Sequence, residues 1–108
     1  MTRMALVVTH HLAAGHEDAF DALTARTLEK IRTSEPGTLV YAVHTTPGRP
    51  RERVFYELYQ DRAAFETHET YLHVRQFLAE RLAHLDSVDV AFLELQSAAG
   101  TGLVAGTA

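Results

Sequence analysis

Seven histidines and no cysteine place the ionisable chemistry of this 108-residue chain in imidazole. Two of them, His68 and His73, belong to the run from Val54 to Leu78. That run opens as an aromatic strand (Phe55, Tyr56, Tyr59), passes Asp61, and continues at helical spacing. A histidine ionises near pH 6.5, so an imidazole beside an apolar wall can serve as general base toward an acidic organic substrate. His68 is the candidate for that role; the plainer alternative is a helix-end histidine bonded to backbone. Tyr59 and Tyr71 flank it as hydroxyl donors to a substrate oxygen. Arg75, one turn past Tyr71, can steady a phenolate or oxyanion, or stand solvated on its helix. Tyr41, Phe55 and Phe77 supply aromatic walls or plain core packing. His44, with His10 behind it, is the next imidazole in line. His73 lies five residues from His68, about 140° away on a continuous helix. Only a break near Thr70 brings the two together, and Glu69 offers His73 an ordinary surface pair.

The same histidines fit a metal site poorly. His10 and His11 are neighbours on a strand and point to opposite faces. His73 and His84 share a helix face but stand about 16 Å apart. No His-x-x-x-His or His-Glu-x-x-His spacing occurs, so no metal and no cofactor is expected.

The elements that must hold these residues read clearly. Met4–His11 is a β-branched strand. A helix follows from Gly15 or His16, with Phe20, Leu23, Thr24, Thr27, Leu28 and Ile31 on one stripe, acidic residues at its start and basic ones near its end. Ser34-Glu35-Pro36-Gly37 stops it. Thr38–Thr45 and Arg53–Tyr59 are strands around a loop at Thr46–Pro50. Asp61 caps a short helix. A longer one, with Tyr71, Val74, Leu78, Leu82 and Leu85 on its stripe, runs to about Asp86, and Val88–Leu95 is the last strand. The order β-α-β-β-α-β is the split βαβ arrangement of ferredoxin-like α+β folds.

Composition narrows the rest. Apolar residues make up 46% and charged residues 22%, as in one globular domain. Residues 1–96 form it, and 97–108 read as a flexible tail of small residues. The net charge of −4 and scattered Lys and Arg show no basic stripe, so nucleic acid is not an expected partner. No apolar run approaches a membrane span or a signal segment, so a cytoplasmic protein without membrane contact is expected. Two helices cover one face of a four-stranded sheet, yet the strands are apolar on both faces. An uncovered face of that kind is an expensive apolar patch, so a homodimer is expected.

The strand-to-helix segment carries a pattern: aromatic strand, polar turn, Ala-x-x-x-His, four residues, His-x-x-x-Phe, here Tyr59, Asp61, Ala64, His68, His73 and Phe77. With a Gly-led first helix, Glu35-Pro36-Gly37 before an aromatic-bearing strand, and Glu57-Leu58-Tyr59 closing strand three, the chain resembles the antibiotic biosynthesis monooxygenase (ABM) family over Ala5–Leu95. The resemblance implies a dimeric α+β barrel. It also implies a small cofactor-independent monooxygenase acting with molecular oxygen on a phenolic, quinol or polyketide-like substrate. His68 and Tyr59 would then be catalytic, and Tyr71, Arg75, Phe55, Tyr41, Phe77 and His44 would line the substrate. Two other readings stand beside it: a non-catalytic dimeric ligand-binding member, and an isomerase-like enzyme using the same histidine for enolisation. Many members close strand three with Trp, where this chain has Tyr59. Haem degradation is disfavoured, because the chain has no Trp and its first strand no Asn.

Overall fold

The computed structural model describes residues 2–100. The chain forms β1 (Met4–Leu12), α1 (Glu17–Ser34), β2 (Thr38–Thr46), β3 (Arg49–Tyr59), α2 (Arg62–His68), α3 (Leu72–Glu80), a 3-10 turn (Arg81–His84) and β4 (Leu85–Glu94). The four strands make one antiparallel sheet in the order β2-β3-β1-β4. This is the expected ferredoxin-like α+β fold with its second helix split in two. Among the described residues no helix is long and apolar enough to cross a membrane.

Period-two alternation sorts the side chains. In β1 the positions Met4, Leu6, Val8, His10 and Leu12 are buried under the helices. Their partners on β3 are Tyr59, Glu57, Phe55 and Arg53, so these share that face. The α1 stripe closes the layer with Phe20, Leu23, Thr24, Thr27 and Ile31 buried, as its 3.6-residue spacing requires. The core centres on Phe55, which meets Phe20, Tyr41, Phe77 and the His10 ring at centroid distances of 6.0, 5.7, 5.9 and 4.4 Å.

Three boundaries differ from the sequence expectation. The stretch at Thr46–Pro50 is a tight hairpin, with Thr46 paired to Arg49 and Gly48 at φ 81°. A positive φ at the second central residue, after Pro47, is what a type II turn demands, and glycine meets it without strain. Pro50 is tolerated in β3 because the pairing with β1 ends at Glu52. The last helix stops at Glu80, not Asp86. Its buried residues are Val74 and Phe77, whereas Leu82 is 66% exposed. With no apolar stripe left to bury, the chain turns through one 3-10 turn and pairs with β1 from Leu85. Positions 97–100 have no helix or strand, and the rest of the expected tail, 101–108, lies outside the described residues.

His10 is an unusual occupant of this core, with no exposed surface. Arg81 Nη1 donates to its Nε2 at 3.0 Å. Burial first, and the Arg81 charge second, lower its pKa from 6.5 to about 4. Between those values the unfolded chain binds a proton that the folded chain refuses. Stability should therefore be fully present above pH 6.5 and fall by about 3 kcal/mol as pH drops toward 4. Glu57, whose carboxyl is pushed up by burial, works in the opposite direction. Urea unfolding of the parent and of His10→Gln, which keeps an acceptor for Arg81 but does not titrate, should separate the two. The variant should show a clearly flatter pH dependence.

Candidate functional site

Glu35 is the organising residue, although in the sequence it reads as part of a helix stop and of the family pattern and not as a site residue. It is the C-cap of α1, and its side chain is 1% exposed. A carboxylate at the negative end of a helix dipole is unfavourable by itself. Three donors offset that cost. Thr38 Oγ1 donates to Oε1 at 2.8 Å, His68 Nδ1 meets Oε1 at 2.5 Å, and His73 Nε2 meets Oε2 at 2.5 Å. Burial alone pushes the Glu35 carboxyl up, but the bonds from His68, His73 and Thr38 outweigh it and hold it below the usual carboxylate range. An ionised carboxylate accepts only, so His68 carries its proton on Nδ1 and His73 on Nε2. His68 Nε2 then carries a lone pair whenever the ring is neutral.

Backbone features aim these groups. Asp61 Oδ1 accepts from Ala64 N at 2.8 Å and fixes the start of α2, which ends at His68. The helix breaks between His68 and Leu72. That break turns His73 back onto the carboxylate already held by His68, so His73 pairs with Glu35 rather than forming an ordinary surface pair with Glu69. Tyr71 stacks on His73 at 5.2 Å and donates its hydroxyl to Ser34 O at 3.0 Å. Gly37 lets α2 approach: a Cβ there would stand 2.8 Å from Ala64 Cβ. Gly37→Ala should displace α2 and cost about 1–3 kcal/mol. Thermal unfolding checks this, and adding Ala64→Gly should restore part of the loss.

The base candidate is nearly enclosed, with His68 4% exposed and its ring 5.0 Å from Tyr59 and 5.6 Å from Tyr41. Beside it lies a crevice of about 200 Å³ lined by Glu35, Thr38, Ala64, Thr67, His68 and Tyr71. A second crevice of about 330 Å³ shares Glu35 and Thr38 and runs along Leu28, Ile31, Leu39 and Tyr41. Further in, polar groups continue across the floor of the layer. Tyr59 donates to Glu57 Oε1 at 2.6 Å. Burial, with the Glu57 charge after it, pushes the Tyr59 and Tyr41 hydroxyls well above the usual phenol range, so both remain donors. The Arg81 guanidinium is lowered chiefly by burial and leaves Nε buried without a partner.

The structure thus brings His68, Tyr59, Tyr41 and Tyr71 together. The Tyr59 hydroxyl is already engaged by Glu57. Phe55 and Phe77 lie deep in the core. Arg75 is exposed on α3, and His44 is exposed on the opposite face of the sheet, its Nδ1 3.2 Å from Val54 O. Neither Arg75 nor His44 joins the group around His68. Glu35, Glu57 and Arg81 are not among the sequence candidates, and His73 reads there as a surface residue unless the helix breaks near Thr70. Glu35 had a signal, an acid where a helix end prefers a cation. Glu57 had one too, because it alternates with Phe55 and Tyr59 on the buried face of a strand. Arg81 had none, since its position depends on where α3 ends.

Among curated proteins no sequence matches. Solved structures do match across the fold. PA3566 from Pseudomonas aeruginosa is 26% identical with a TM-score of 0.81, over 90% of this chain and 97% of that one. A Caulobacter crescentus protein is 18% identical with a TM-score of 0.84, over 89% and 92%. A third, described as an antibiotic biosynthesis monooxygenase, is 23% identical with a TM-score of 0.76, over 89% and 99%. The family model for antibiotic biosynthesis monooxygenase matches residues 3–80, which span β1 through α3 and every residue around Glu35, and the chain belongs to that family.

Proposed function

We propose that the protein is a cofactor-independent monooxygenase acting on a small phenolic or quinol-like substrate, with His68 as general base. The observation that supports this is the Glu35–His68 pair: a buried carboxylate holds Nδ1 and leaves Nε2 available beside aromatic rings and a crevice. An orienting carboxylate fixes the tautomer and favours the imidazolium formed on proton abstraction. Loss of the phenolic proton gives an electron-rich anion that can reduce oxygen directly. The substrate then supplies all four electrons; one oxygen atom enters it and the other leaves as water. Tyr41, whose ring is 5.6 Å from His68 and whose hydroxyl stays protonated, is the donor best placed to orient a substrate. Oxygen uptake with simple hydroquinones, and mass-spectrometric tracing of labelled oxygen into product, test the reading. Turnover without oxygen uptake would favour an isomerase instead.

The working unit is proposed to be a homodimer. Val7, Val40, Val54, Tyr56 and Leu93 lie on the sheet face away from the helices, as their alternation with the helix-facing positions requires. An uncovered face of this composition is best accounted for by a second copy. Light scattering should give about twice the 12.0 kDa chain mass.

A further inference from the structure

His16 and His84 meet at the end of the molecule where α1 begins and β4 is about to start. They are 68 residues apart in sequence, yet their Nδ1 atoms are 2.9 Å apart. The ring centroids are 5.2 Å apart at 52°. Backbone holds the pair in place. Ala13 N donates to His84 O at 2.9 Å and His16 N to Ala13 O at 3.0 Å, around Gly15 at φ 84°. Both side chains are half-buried, and neither belongs to the group around Glu35.

We propose that His16 and His84 form a two-imidazole site for a divalent transition-metal ion of the copper or nickel class. Two ring nitrogens from distant parts of the chain converge on one point, and imidazole is the ligand these ions prefer. The spacing favours one geometry. At metal–nitrogen bonds of about 2.0–2.1 Å, two ligands at a right angle stand about 2.9 Å apart, and two at a tetrahedral angle about 3.3 Å. The observed separation fits the right-angled pair of a square-planar or octahedral ion, with water in the remaining positions. A small rotation of each ring turns the lone pairs from one another toward the ion. The ion takes the place of the proton between the two Nδ1 atoms, the ring that carried it moving its proton to Nε2, and it staples the start of α1 to the start of β4.

The test uses the full chain free of any affinity tag and stripped with chelator. Calorimetric titration with Cu²⁺ should give one ion per chain. Electron paramagnetic resonance of the loaded protein should show hyperfine splitting from two imidazole nitrogens. His16→Asn, which places a favoured residue at the helix N-cap, and His84→Gln should each weaken binding by about tenfold or more. His11→Gln, on the sheet near Asp89 and Glu52, should leave it unchanged. Copper should raise the melting temperature of the parent by roughly 5 °C or more at saturation and do much less in the two variants. No stoichiometric binding, binding that survives both substitutions, or binding lost in His11→Gln would each overturn the proposal.

Discussion

Replacing His68 with alanine is expected to lower turnover by roughly 10²–10⁴-fold, the usual contribution of a positioned base, while the protein stays folded. The fold survives because Glu35 keeps two of its three donors, Thr38 and His73. The buried carboxylate loses one charge-assisted bond, which costs about 1–3 kcal/mol. Circular dichroism and thermal unfolding check that part. The kinetic part has an internal control. A substrate ionised before it enters needs no base and should recover much of the lost rate in the variant. A neutral phenol should not. Glu35→Gln should follow with a smaller loss of about 10–100-fold, because an amide no longer favours the imidazolium or fixes its tautomer. Full oxygenase activity of His68→Ala on a neutral phenol would end the assignment. Ligand binding by the parent with no turnover of any phenol or quinol would move the non-catalytic reading ahead.

Phe55→Ala is expected to have the largest effect on stability, a loss of about 3–5 kcal/mol. Phe55 is 1% exposed and is ringed by His10, Phe20, Tyr41 and Phe77. No neighbour can collapse into the space, because three of those rings are anchored on other elements and His10 is tied to Arg81. The cavity term therefore adds to the transfer term. A typical domain has about 5–15 kcal/mol in all, so the urea midpoint should move far. The measurement also decides what Phe55 is for. A pocket wall would show its loss in KM with stability retained; a core residue shows it in unfolding.

These two residues illustrate how unevenly the site was legible. His68 could be singled out because one local run carried an aromatic strand, a capping aspartate and an imidazole at helical spacing. Phe55 could be placed on a buried face by alternation, yet its type and position did not say whether it faced a ligand or other rings. His73 looked like a surface residue because an unbroken helix would turn it about 140° from His68. Arg75 looked useful for its charge, but its side of α3 faces solvent while Val74 and Phe77 take the buried side.

The sequence by itself determined the order and identity of the elements, the α1 stripe, the cap at Asp61, and a sheet apolar on both faces. Each follows from residue type and a short-range period, which the chain carries locally. The tertiary structure alone decided what surrounds the imidazole. It turned the chain between His68 and Leu72 so that His73 comes back beside His68, and it ended the last helix at Glu80, which put Arg81 against His10. It set Glu35, 33 and 38 residues away from its two histidines, between them. Such pairings depend on the end of α1 meeting α2 and α3 over the sheet, and no local pattern encodes the distance between two elements. A buried carboxylate selects its partners by the donors that the fold brings within bonding reach, since only those can replace the water it gives up.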